Sequence, residues 1–218
     1  MSVVASLILL LAGTLTSLIL LVRVQLLLLA HYPTAEWPAM AAGLLAGGVT
    51  LAIAVAMALR LRSPRRALML LLALPTMLLT AGCLSVTHFP RSNFKSDELR
   101  AEWYRLHPTL RNALWVARLG EGALILTDVT RKPSNYGEMG LTEPSWSSHF
   151  TSPRNGYAHA IDLRVRDAGD LRNWARQGVF LALGLKADRH GGPTDRHGGT
   201  ADHLHVSLPL RQDAITTQ

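Results

Sequence analysis

Cysteine is almost absent from this chain. The single residue, Cys83, has no internal partner, so no disulfide forms within the chain and a cysteine-built zinc site is excluded. Charge is also scarce over residues 1–86, which are dominated by Leu, Ala, Val, Ile and Met. The formal net charge of +7 is not arranged as a Lys/Arg stripe with interleaved aromatics, so a nucleic-acid partner is not expected. Residues 87–218 hold most of the charge and eight of the nine histidines. The composition therefore describes a membrane region followed by a water-facing domain of ordinary size.

Three apolar runs fill the first region, at about residues 3–30, 37–59 and 67–86. Each is long enough to cross about 30 Å of hydrocarbon as a helix. Arg23 interrupts the first run and is expected to snorkel, to face a neighbouring helix or to mark an earlier end of the first span. Between the second and third runs, Arg60, Arg62, Arg65 and Arg66 form a basic loop, whereas residues 31–36 carry no Lys or Arg. The positive-inside rule then puts the N-terminus in the cytoplasm and residues 87–218 in the periplasm or on the external face. A second reading of the third run is a lipoprotein signal ending at Ala81-Gly82-Cys83, although Thr80 stands where an aliphatic residue is usual.

The second region begins with a polar linker over residues 88–96 and a short helix over 97–106, so that 87–108 reads as linker and helix and 109–218 as the main domain. Helices are expected over 108–119 and 171–183, the latter with Asp170 as N-cap and Gly184 as its stop. Strands are expected over 123–129, 158–165 and 203–208, and a loop over 134–144. Asp188-Arg189-His190-Gly191-Gly192 recurs as Asp195-Arg196-His197-Gly198-Gly199. This duplication reads either as a flexible expanded loop or as a flap whose histidines help bind substrate or metal. The fold class is α+β, a small and mostly antiparallel sheet with flanking helices, preceded by three transmembrane helices.

Two segments carry metal chemistry. The first is Ser147-Ser148-His149 followed by Ala160-Ile161-Asp162, and the second is Asp202-His203-Leu204-His205. Residues two apart on a strand share a face, so His203 and His205 converge while Leu204 faces the core, and Ala160 lies beside Asp162. Imidazole and carboxylate suit zinc, and hydrolytic zinc sites use three protein ligands with a fourth position open.

These motifs resemble those of the zinc D-Ala-D-Ala carboxypeptidase and endopeptidase family, which shares its fold with the hedgehog signalling domain. The matching pieces are Ser147-Ser148-His149, Ala158-His159-Ala160-Ile161-Asp162 and Asp202-His203-Leu204-His205, with Ile125–Pro133 resembling the family's strand and arginine turn. The resemblance covers about residues 109–210 and implies a zinc-dependent peptidase acting on the peptide of peptidoglycan, in wall remodelling or phage lysis. It implies His149, Asp162 and His205 as zinc ligands and Asp202 as the general base that deprotonates the attacking water. It further implies His203 as a residue that steadies the transition state and Arg131 as a cation for substrate or oxyanion. His203 is the alternative base if Asp202 faces away.

One departure is the spacing. The family usually has six residues between the first histidine and the aspartate, whereas thirteen positions separate His149 from Asp162 here. An insertion within residues 150–157 restores the match. His159 is the competing ligand, three positions before Asp162 and on the opposite face of a regular strand. Trp146 and Tyr157 are candidates to line a substrate cleft. The rival to a peptidase is a non-enzymatic zinc module of the same fold that binds wall or protein.

Overall fold

The computed structural model describes residues 2–33, 35–138, 142, 144–166, 168–190 and 203–209. The chain divides into two compact units, residues 1–86 and 87–218. Each is described on its own.

The first unit holds three helices, α1 (Val3–His31), α2 (Glu36–Ala58) and α3 (Pro64–Thr87), all long and apolar enough to cross a membrane. Ser2 caps α1, its hydroxyl accepting from the Ala5 N–H at 3.2 Å. Glycines let α1 and α2 approach closely. A Cβ on Gly43 would fall on the Leu21 carbonyl and the Gln25 side chain, and Ser17 Oγ donates to the Gly47 carbonyl at 2.7 Å. Pro75 of α3 occupies the space a Cβ on Gly48 would need. Arg23 lies on the exposed side of α1. The basic loop is shorter than expected: Arg65 and Arg66 already belong to α3, because Pro64 has the fixed φ that starts a helix.

In the second unit the segment expected to be a polar linker is packed. Phe89 stacks on Trp103 at 4.8 Å and Phe94 meets the same ring edge-on at 5.8 Å. Buried Asn93 donates to the Gly122 carbonyl at 2.9 Å, and Phe94 bridges to Leu126. Residues 87–108 thus belong to the same compact unit as the sheet. The expected helix over 97–106 is α4 (Asp97–Ala101), continued by a tighter 3-10 turn, Glu102–Arg105. Helix α5 (Pro108–Gly120) starts with Pro108, and buried His107 accepts the Thr109 N–H on Nδ1 at 3.2 Å. Leu110, Ala113, Leu114 and Ala117 recur at helical spacing and are buried.

Among the described residues four strands form one antiparallel sheet in the order β1-β2-β4-β3, with β1 at Leu126–Asp128, β2 at Ala160–Arg164, β3 at Lys186–His190 and β4 at His203–Ser207. Strand β3 overturns part of the loop expectation for the duplicated segment: Asp188, Arg189 and His190 pair with β4. Residues 191–202 lie outside the described residues. The stretch expected as a loop over 134–144 begins with a short helix, α6 (Pro133–Glu138). Helix α7 (Asp170–Leu183) is capped by Gly169 rather than Asp170, which is its first residue. Gly184 ends it with φ 92°, a left-handed turn that glycine adopts without strain. Ile161, Leu163, Ala187, Leu204 and Val206 point to the buried face of the sheet, and Phe180 and Leu183 of α7 are buried with them. Each such large side chain contributes about 1.5–3 kcal/mol on leaving water. That anchorage fixes the opposite face, which carries the polar residues of β2 and β4.

Candidate metal centre

Strand pairing alone brings two of the expected ligands together. Asp162 on β2 lies directly opposite His205 on β4, so their side chains rise from the same face. His149 arrives from a loop that runs back along the sheet: the His159 N–H donates to the Ser148 carbonyl at 2.8 Å and the Arg131 N–H to the His149 carbonyl at 3.1 Å. The intervening residues make the excursion expected from the spacing. The Ser152 N–H donates to the Tyr157 carbonyl at 2.9 Å, and the Gly156 N–H donates to the Ser152 carbonyl at 2.8 Å. Gly156 turns there with φ 72°.

The result is a triangle of donor atoms. His149 Nε2 is 3.2 Å from Asp162 Oδ1 and 3.2 Å from His205 Nδ1, and His205 Nδ1 is 2.9 Å from Asp162 Oδ1. His149, Asp162 and His205 are together a group that could hold a metal ion. With ligand bonds of about 2.0–2.1 Å, a tetrahedral ion needs ligand atoms about 3.3 Å apart, close to the sides of this triangle.

The supporting contacts orient each ligand. His149 Nδ1 lies 2.9 Å from the Val129 carbonyl, which can only accept, so the ring proton sits on Nδ1 and Nε2 presents a lone pair to the centre. His205 Nε2 faces Ser148 Oγ at 3.3 Å, which turns Nδ1 inward. The outer oxygen of Asp162 is bound by the Arg131 guanidinium, which also holds Asp128 at 2.5 Å and lies over the Tyr136 ring at 5.6 Å. A neutral imidazole lone pair beside a carboxylate oxygen is repulsive unless a cation, metal or proton, lies between them.

The electrostatics follow from this packing. Burial by itself would raise the Asp162 carboxyl, but the His149 and His205 imidazoles outweigh it and hold its pKa well below the ordinary carboxylate value. Burial would lower His149, but the Asp162 carboxylate outweighs it and the imidazole pKa is raised. Arg131 loses hydration too, yet Asp162 and Asp128 raise its pKa further.

The remaining expected residues fall into place differently. His159 is not part of the triangle. It is buried on the other side, its ring 5.3 Å from His107, and burial lowers its pKa to about 4. Tyr157 packs edge-on against His107 at 5.7 Å, so it belongs to that buried cluster and not to a cleft at the triangle. Trp146 is half-buried. Arg131 is engaged by two carboxylates, those of Asp128 and Asp162. His203 stands on the rim, its Nε2 3.7 Å from Asp162 Oδ2. Asp202 lies outside the described residues. Asp128, Ser148 and His190 were not singled out from the sequence. Each lay inside a recognised segment without a role of its own: Asp128 in Ile125–Pro133, Ser148 in Ser147–His149 and His190 in the duplication. His190 places its ring 5.1 Å from His203 and 5.9 Å from His205.

No protein-family model, curated protein or solved structure matches the chain.

Proposed function

We propose that this chain is a membrane-anchored zinc peptidase that hydrolyses peptide bonds in the stem peptides of peptidoglycan, with the fold of the zinc D-Ala-D-Ala peptidases and the hedgehog domain. The observation that carries the reading is the triangle of His149 Nε2, Asp162 Oδ1 and His205 Nδ1, with sides of 2.9–3.2 Å and a second partner behind every ligand. The donor set suits zinc, being two imidazoles and one carboxylate with no thiolate. A zinc ion bound there supplies a Lewis acid and brings the pKa of water toward neutrality.

The chain's own residues do the rest. Arg131 fixes the outer oxygen of Asp162, so the inner one keeps its direction. The Val129 carbonyl and Ser148 fix the two imidazoles. His203 offers a ring nitrogen on the rim, where a proton can be held near the reacting amide. Asp202, immediately before it, is the general base by resemblance. The arginines of the loop between α2 and α3 support a cytoplasmic place for that loop, with residues 87–218 then on the wall side of the inner membrane.

The test uses the full chain purified in detergent. Metal analysis and hydrolysis of purified peptidoglycan are measured beside His205→Ala. About one zinc per chain is expected, as for a single three-ligand site, with cleavage in the wild type and both lost in the variant. Zinc without cleavage would favour a non-enzymatic module. A wild-type chain that takes up no zinc refutes the ligand assignment.

A further inference from the structure

Helix α7 turns an apolar face to solvent. The helical period places Leu171, Trp174, Ala175, Gly178, Leu181 and Ala182 on one outer stripe, and all six are exposed. Leu171, Trp174 and Leu181 are 87%, 71% and 48% exposed. The polar residues lie on the inner side instead. Buried Asn173 donates to the Val165 and Ala168 carbonyls at 3.0 and 2.9 Å. Buried Arg176 donates to Glu121 at 2.6 Å and to the Arg164 carbonyl at 3.0 Å, and Gln177 donates to the Ala187 carbonyl at 2.8 Å. These directional bonds fix the rotation of α7 about its axis, so the stripe cannot roll inward. Scattered apolar side chains on a surface need no explanation, but a contiguous stripe marks an interaction surface.

We propose that the outer stripe of α7 is an interfacial membrane-binding face whose occupant is the phospholipid surface. The inference rests on the membrane-anchored reading and not on the chemistry of the triangle. Two observations favour lipid. First, α3 ends at Thr87 and the second unit packs from the next residue: the His88 carbonyl accepts from Trp115 Nε1 at 2.8 Å, and Phe89 is buried. Chain continuity therefore keeps Trp115 near the headgroups. Glu121, about 9 Å further along α5, holds Arg172 in the first turn of α7 at 2.5 Å. The stripe thus starts a short way from where the chain leaves the bilayer. Second, the stripe is about 20 Å long and 10 Å wide, a small part of the roughly 800 Å² per partner that a stable dimer buries. A helix lying in a bilayer surface needs no more: Trp and Leu enter the boundary of headgroup and acyl chain, and the flanking Arg172 meets anionic headgroups. The placement also orients the site. Phe180 and Leu183 of α7 are buried with the apolar face of the sheet, whereas the triangle stands on the other face. A unit resting on α7 presents the triangle away from lipid.

The test reconstitutes the full chain into nanodiscs of phosphatidylcholine and phosphatidylglycerol, with or without bromine on the upper acyl chains. Tryptophan emission is recorded for the wild type and Trp174→Phe, and the difference is the Trp174 signal. Interfacial helices lie about 5–10 Å into the boundary of headgroup and acyl chain, so this signal should be blue-shifted and largely lost in brominated lipid. Leu171→Glu, at an exposed position, should shift it to the emission of a water-exposed indole and restore its intensity in brominated lipid. A Trp174 signal with water-exposed emission, untouched by bromine, overturns the membrane face. A blue-shifted signal untouched by bromine also overturns it and assigns the stripe to a protein neighbour. The emission left in Trp174→Phe includes Trp37 of α2 and reports the anchor separately. If bromine quenches part of that residue while sparing Trp174, the face fails and the anchored reading stands. If bromine leaves all of it intact, the anchored reading and the face fall together.

Discussion

Mild acidification separates the histidine behind the site from those within it. His159 is 2% exposed. Its Nε2 lies 3.3 Å from Asn155 Nδ2, and its Nδ1 has no hydrogen-bond partner among the described residues. Burial brings its pKa from 6.5 to about 4. Between these values the unfolded chain binds a proton that the folded chain refuses, so stability falls as pH drops below 6.5 and levels off near 4. Linkage with those two pKa values gives a loss of about 2 kcal/mol between pH 7.5 and pH 5. For a unit of this size that corresponds to a fall of roughly 8 °C in midpoint. His149 has the opposite sign: its raised pKa contributes stability at low pH that is lost as pH rises through the folded value. The comparison with His159→Phe cancels that contribution. The assay is tryptophan fluorescence on heating the full chain in detergent. Trp103, Trp115, Trp146 and Trp174 all report on the second unit, and only Trp37 on the first. The variant should lose roughly 8 °C less than the wild type between the two pH values. An equal fall in both would show that His159 is not held neutral by burial, and the reasoning would fail.

Further outcomes follow from other contacts. Zinc at a hundredfold excess over its Kd should stabilise the second unit by about 2.7 kcal/mol; a chelator should reverse the rise in midpoint, and Asp162→Ala should show neither effect. Arg131→Met leaves Asp162 and Asp128 without their cation and should cost about 3 kcal/mol, with zinc affinity lowered about 10- to 100-fold by competition titration. In the metal-free chain, the depressed Asp162 pKa contributes stability above the unfolded carboxylate value that is lost as pH falls toward the folded one; pH-dependent melting should show this acid limb, and Asp162→Asn should flatten it. Gly43→Leu places atoms on the Leu21 carbonyl and should loosen α1 from α2, read as faster limited proteolysis of the first unit in detergent.

Much of this arrangement is legible in the residues because it depends on period. Leu204 between His203 and His205, and Ile161 and Leu163 around Asp162, commit β4 and β2 to one burial face. The ligand face follows from that choice. The three apolar helices needed only length and hydropathy. Strand β3 was missed because it lies at the sheet edge. It buries only Ala187 of its five residues, so its sequence reads like the polar loop after it. The linker reading of residues 88–96 failed because Phe89, Asn93 and Phe94 dock through tertiary contacts that no local pattern announces. Arg131 illustrates the same limit. Its partner Asp162 is thirty-one positions away, so its engagement could not be read from its neighbours.

The excursion between His149 and His159 has a practical side. Its base is clamped where the Ser148 carbonyl meets the His159 N–H, and the chain turns back by the Ser152–Tyr157 and Ser152–Gly156 bonds. The geometry at the triangle is therefore insulated from the length of the tip. Closing a longer loop costs only about 0.6 kcal/mol for each doubling of its length. Residues 153–154, before the Asn155 side chain that contacts His159, form a port at which an epitope, a fluorophore-bearing peptide or a small wall-targeting module can be grafted. The chain could then be tracked or redirected without an alteration to His149, Asp162 or His205.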